Sequence, residues 1–99
     1  MSMKLLTAQN LKDFKKYGAQ LNESDPVLVV KFFCPTSRWT WYAQSYNPNT
    51  RIFFGYVEGF ENEWGRFSLD ELEEAIGPLG MKVERDRCWT PKRFSELKS

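Results

Sequence analysis

Apolar residues recur at helical spacing near the start of the chain. Leu11, Phe14, Gly18 and Leu21 fall on one face, and Lys12, Asp13, Lys15 and Lys16 fill the others. The pattern predicts a helix over Thr7–Leu21, with Thr7 as N-cap. Asn22–Pro26 is polar, ends in Asp-Pro and reads as a loop. From Val27 the period changes. Val27–Cys34 is rich in β-branched and aromatic residues, with Leu28, Val30, Phe32 and Cys34 on one face and Val27, Val29, Lys31 and Phe33 on the other. Pro35–Arg38 turns the chain. Trp39–Tyr46 is a second strand, Asn47-Pro48-Asn49 a turn and Arg51–Phe60 a third strand. Glu61–Gly65 reads as a loop, with Arg66-Phe67 open to a short fourth strand. Ser68 and Glu71 form a capping box ahead of the stripe Leu69, Leu72 and Ile76, and Gly77-Pro78 ends that helix. Met81–Trp89 reads as a last strand, and Thr90-Pro91 opens a short C-terminal helix. Short runs joined by tight loops pair antiparallel. The expected fold is α+β: a single mostly antiparallel sheet of four to five strands with helices packed on it, in the order α-β-β-β-(β)-α-β-α.

At 99 residues the chain is expected to form a single domain, 1–99. Hydrophobic residues at 41% and charged residues at 27% are those of a globular chain. A net charge of +1 argues against a global field toward nucleic acid or membrane. Histidine is absent, which removes the commonest general base and every histidine-based metal site. Two cysteines, Cys34 and Cys88, without a C-x-x-C spacing are expected to be reduced and mostly buried. No secretory signal or membrane-length apolar stretch appears, so the expectation is a cytoplasmic protein with no membrane partner.

Charge is unevenly distributed. Residues 1–51 carry seven basic and three acidic side chains, residues 52–81 one and seven, and residues 82–99 six and three. Aromatics are 16% of the chain, an abundance that a small core needs. Among them Lys31, Phe33, Arg38, Trp39 and Trp41 join rings to cations on the first two strands. Stacking rings beside cations are what a single-stranded nucleic acid requires, although the same rings serve equally as core beneath the helices. A second set is acidic. Glu58, Glu61 and Glu63 leave the third strand, and Glu84 and Asp86 alternate on the last. Glu58, Glu61, Glu84 and Asp86 are candidate ligands for magnesium or calcium if those segments adjoin, and otherwise ordinary surface carboxylates. Ser68 without a histidine reads as a helix cap rather than a nucleophile.

Many short runs together resemble one family. They are Met3-Lys4-Leu5-Leu6-Thr7, Val30-Lys31-Phe32-Phe33, Pro35, Ser37, Trp39-Thr40-Trp41-Tyr42 and Phe53-Phe54-Gly55-Tyr56-Val57-Glu58-Gly59. Further along come Phe67-Ser68-Leu69-Asp70-Glu71-Leu72, Gly77-Pro78-Leu79-Gly80 and Glu84-Arg85-Asp86. In order and over nearly the whole chain, they resemble domain of unknown function 2958. The resemblance implies a setting in bacteria, plasmids, phages and integrated mobile elements, and it supplies no catalytic residue and no cofactor. Met1-Ser2 precede the residue at which that family usually begins.

These readings combine into a non-enzymatic accessory protein of a bacterial mobile element that binds a macromolecule, a protein or a nucleic acid, with single-stranded nucleic acid as one candidate partner for the basic-aromatic face. The alternatives are a protein-interaction or inhibitor module acting on a host defence or DNA-processing protein, and a metal-dependent nuclease.

Overall fold

The computed structural model describes residues 5–75 and 80–98. Thr7 caps α1 (Ala8–Tyr17), its Oγ1 accepting from the Asn10 amide while Asn10 Oδ1 accepts from Thr7. The helix stops four residues short of the expected Leu21. Gly18 adopts φ 67°, a left-handed geometry open to glycine, and its N–H closes on the Phe14 carbonyl. The apolar series runs through this glycine, so spacing alone overextends the helix.

The predicted strand Val27–Cys34 divides in two. β1 (Val27–Leu28) and β2 (Val30–Phe33) are separated at Val29, where the chain changes partners. β3 (Thr40–Asn47), β4 (Ile52–Glu58) and β5 (Asn62–Ser68) follow, then α2 (Leu69–Glu74), β6 (Glu84–Arg85) and β7 (Lys92–Arg93). A 3-10 turn, Phe94–Lys98, closes the described chain. The main sheet has the order β5-β4-β3-β2-β6 with every pair antiparallel. β1 and β7 form a second, two-stranded sheet, so the single-sheet expectation is corrected.

Three other expectations change. Residues 61–65, read as loop, are mostly strand: β5 pairs with β4 over seven registered positions, Ile52↔Ser68 to Glu58↔Asn62. Its polar composition belongs to an edge strand exposed on one flank, not to a loop. The last strand shrinks to Glu84–Arg85, because the chain turns at Arg87-Cys88 to bring Trp89 onto the sheet. Residues after Pro91 pair as β7 before turning helical, because Val27 and Leu28 offer backbone partners there. Half of the expected capping box forms at α2: Ser68 Oγ accepts from the Glu71 amide, without the reciprocal bond from the Ser68 amide to the Glu71 side chain. The predicted stop at Gly77-Pro78 lies outside the described residues.

The sheet has two covered faces. The inner face carries Val30, Phe32, Ala43, Phe53 and Phe67, packed with Phe14 of α1, Leu69 and Leu72 of α2, and Leu5 and Val83. Phe53 lies at its centre, with Phe32, Phe14, Tyr46 and Phe67 around it at ring separations of 4.6–5.9 Å. The outer face carries Lys31, Tyr42, Tyr56 and Trp64 in one registered row. The C-terminal arm, residues 86–98, crosses it: Trp89 packs on Tyr42, and Phe94 on Tyr56 and Trp64.

Candidate binding surface

The β2–β3 and β4–β5 turns lie at the same end of the sheet. The pairing that gives Phe33↔Thr40 continues one step, with the Cys34 amide donating to the Trp39 carbonyl at 3.1 Å. Thr40↔Glu58 likewise continues to Trp39 and Gly59. Trp39 therefore lies across Gly59, and a Cβ at that glycine would drive into the six-membered ring of the indole. Trp39 stacks on Trp41 at 5.9 Å with a 25° interplanar angle. Phe60 meets Trp39 edge-on at 5.4 Å and is 95% exposed. Arg38 is exposed in the neighbouring turn.

This register divides the basic-aromatic candidates. Phe32 faces Trp41 and Lys31 faces Tyr42, so Trp39 and Trp41 occupy the inner face and Lys31 and Phe33 the outer. The two tryptophans are half-buried, Trp41 packing against the core cluster. Lys31 is engaged: its Nζ lies 3.8 Å from Asp86 and 5.8 Å from the ring centroids of both Tyr42 and Trp89. Lys31 thus holds the arm from the sheet, while Lys92, within the arm itself, lies over the same indole at 4.4 Å. Arg38 and the tryptophans share one end of the molecule; Lys31 and Phe33 do not share their face.

The acidic candidates are also dispersed. Glu84, Phe33, Thr40 and Glu58 form one registered row, which sets the two carboxylates three strand spacings apart, about 14 Å. Burial first, and then the neighbouring Glu58 carboxylate, hold the Tyr42 phenol well above its usual range. Asp86 is spent on Lys31 and on the Cys88 amide, and Glu61 sits in the exposed β4–β5 turn. Among the described residues no three His, Cys, Asp or Glu side chains group as metal ligands would.

Both thiols are free. Cys34 is buried as expected, and the Ser37 hydroxyl, followed by the Thr36 amide, pulls its ionisation below the usual thiol range. Cys88 is exposed, a correction that follows from the turn at Arg87-Cys88. A groove of about 960 Å³ between α1 and the β3–β4 hairpin is lined by Leu11, Phe14, Leu21, Tyr46 and Phe54, with Lys15 and Arg66 and no carboxylate or thiol.

The family described as Protein of unknown function (DUF2958) matches residues 4–96. The chain belongs to the DUF2958 family. Searches of the curated proteins and of the solved structures returned no match. Among the described residues of this DUF2958 chain, no helix is long and apolar enough to cross a membrane.

Sequence reasoning named Arg38, Trp39 and Trp41 but passed over Phe60, placing it at the end of a strand. The available signal was a phenylalanine between Gly59 and Glu61, in a segment short enough to be a turn. An aromatic residue there has no core to enter.

Proposed function

We propose that this DUF2958 protein is a non-catalytic binding module that engages a protein partner through its aromatic tip, Trp39, Trp41 and Phe60, with Arg38 at the rim. The observation that carries the reading is the 95% exposure of Phe60 beside a stacked indole pair. A ring so exposed contributes little to folding, whereas aromatic anchors and arginine dominate the energetics of protein interfaces. Trp39, held on Gly59, supplies a rigid backing, and pre-organised anchors lose little entropy on binding.

Charge favours protein over single-stranded nucleic acid. A strand of nucleic acid needs cations along its path. Here Lys31 is ion-paired on the other face, Glu61 sits in the β4–β5 turn beside Phe60, and Glu63 follows on β5. The accessory role in a bacterial mobile element implied by the family resemblance accords with an interaction or inhibitor module of this kind. The nuclease alternative draws no support from Glu58 and Glu84, whose registered row keeps them far apart.

Phe60→Ala tests the reading. The substitution leaves thermal stability within about 0.5 kcal/mol of wild type, as for a surface site. In nuclease-treated bacterial extract, immobilised wild type retains a protein that Phe60→Ala loses, and the purified pair reproduces the loss in a binding titration. Retention by both forms overturns the reading. So does wild-type binding to a single-stranded oligonucleotide at low salt that Phe60→Ala abolishes, an outcome that transfers the tip to nucleic acid.

A further inference from the structure

The far edge of β5 has no strand beside it among the described residues. Two bonds fix which backbone groups face that edge. The Leu69 amide donates to the Arg51 carbonyl at 2.9 Å, and the Gly59 amide to the Glu61 carbonyl at 3.3 Å. In an antiparallel ladder the exchanging pairs alternate. Phe53↔Phe67, Gly55↔Gly65 and Val57↔Glu63 are therefore the bonded pairs between β4 and β5. The N–H and C=O groups of Asn62, Trp64 and Arg66 point away from β4, out of the sheet.

The side chains along this edge are self-complementary. Trp64 and Arg66 both lie on the outer face, two residues apart, with Gly65 between them. Trp64 is 39% exposed, and the Arg66 guanidinium makes no ion pair or hydrogen bond with another described residue. A Cβ built at Gly65 meets nothing within 4 Å, so no side chain crowds the inner face of the sheet at this position.

We infer that β5 is a homodimer interface, in which a second copy of this chain pairs antiparallel across a two-fold axis at Gly65. That register brings Trp64 of one copy opposite Arg66 of the other, twice by symmetry. The outward groups at both positions exchange four main-chain hydrogen bonds. Each guanidinium lies over the indole of the other copy. Opposed residues share a face in an antiparallel pair, so the two inner faces stay on one side and the two sheets join into one of ten strands. Pairing centred on Trp64 would instead set Asn62 against Arg66 and leave each Arg66 without a ring.

The test is the solution mass of wild type and two variants, by light scattering and sedimentation equilibrium, with circular dichroism as the folding control. Wild type is a dimer. Arg66→Pro removes the guanidinium and, from the backbone, only an outward N–H, a change that edge strands tolerate, and yields a folded monomer. Arg66→Glu, which keeps the backbone, raises the dimer dissociation constant roughly tenfold or more. A wild type that stays monomeric at every accessible concentration overturns the inference. So does a folded Arg66→Pro variant that remains dimeric. Should Arg66→Pro not fold, an unchanged dissociation constant for Arg66→Glu overturns it and a raised one supports it. Phe60 lies at the tip and not on this edge, so Phe60→Ala leaves the mass unchanged and its failure to lose a partner bears only on the tip.

Discussion

Gly59 shows how one missing Cβ shapes a surface. The Trp39 indole occupies the space that any other residue would fill, and its position sets those of Trp41 and Phe60. Gly59→Ala therefore forces the indole off the strand. The expected cost is about 1–3 kcal/mol, in the range of overpacked sites. Because Phe60 loses its backing, partner binding weakens together with stability, whereas Phe60→Ala affects binding alone. Thermal melts of both variants beside their binding titrations check this, and unchanged stability in Gly59→Ala would contradict the packing. Lys31 makes the complementary point. In sequence it is a cation among aromatic residues and suggests a site; in the structure it is bound to Asp86 and set against two rings, so it holds the arm down.

At the scale of elements, two glutamines join the end of α1 to the strands. Gln20 acts as a strand partner for Val27, accepting from its amide at 2.7 Å and donating to its carbonyl at 2.8 Å. Gln44, buried at the irregularity in β3, donates to the Ala19 carbonyl at 3.0 Å, and its own carbonyl accepts from Gln20 at 3.1 Å. Gln20→Ala leaves these part-buried backbone groups without partners and costs about 1–3 kcal/mol. Because the two side chains share one network, Gln20→Ala and Gln44→Ala together destabilise by less than the sum of the single changes, which denaturant titrations of the three variants measure. Neither role is legible in sequence, where Gln20 fell inside the predicted helix and Gln44 was one alternating strand residue. What was legible had strong local causes. Val30, Phe32 and Cys34 alternate into burial as their period requires, although Val29, expected on the other face, is buried with them, and the Thr7 and Ser68 caps follow from hydroxyls at helix starts. The change of partners at Val29, the extent of β5 and the turn before Trp89 depend on contacts distant in sequence, which no local pattern encodes. The same reason split the candidate site: alternation showed that Trp39 and Trp41 share a side, but only the register showed that Lys31 and Phe33 take the other.

For the whole molecule, the arm makes the outer face a second interior. Its far end is tied by Asp25, whose carboxylate accepts from the Ser95 hydroxyl at 2.6 Å and the Ser95 amide at 2.9 Å. These bonds, the hydroxyl's first, hold the Asp25 carboxyl below its ordinary range. A lowered folded-state value contributes stability that is complete above the unfolded value of about 3.9 and is lost as pH falls through the folded one. The arm should thus loosen below about pH 4, which the Ser95 amide resonance follows between neutral and acid pH. Ser95→Ala removes the stronger cause and flattens that part of the profile; an identical profile in the variant would contradict the assignment.

The order of synthesis gives this arrangement a further meaning. Translation completes the strands bearing Tyr42, Tyr56 and Trp64 before it reaches the residues that cover them. β1, among the first strands made, must wait for β7 to find its partner. A nascent chain can assemble the helix-covered face from its earlier segments, but its other face stays a stripe of uncovered aromatic rings until Phe94 emerges. The ribosome-bound form therefore displays a row of aromatic rings that the arm covers, Trp64 only in part, once synthesis is complete.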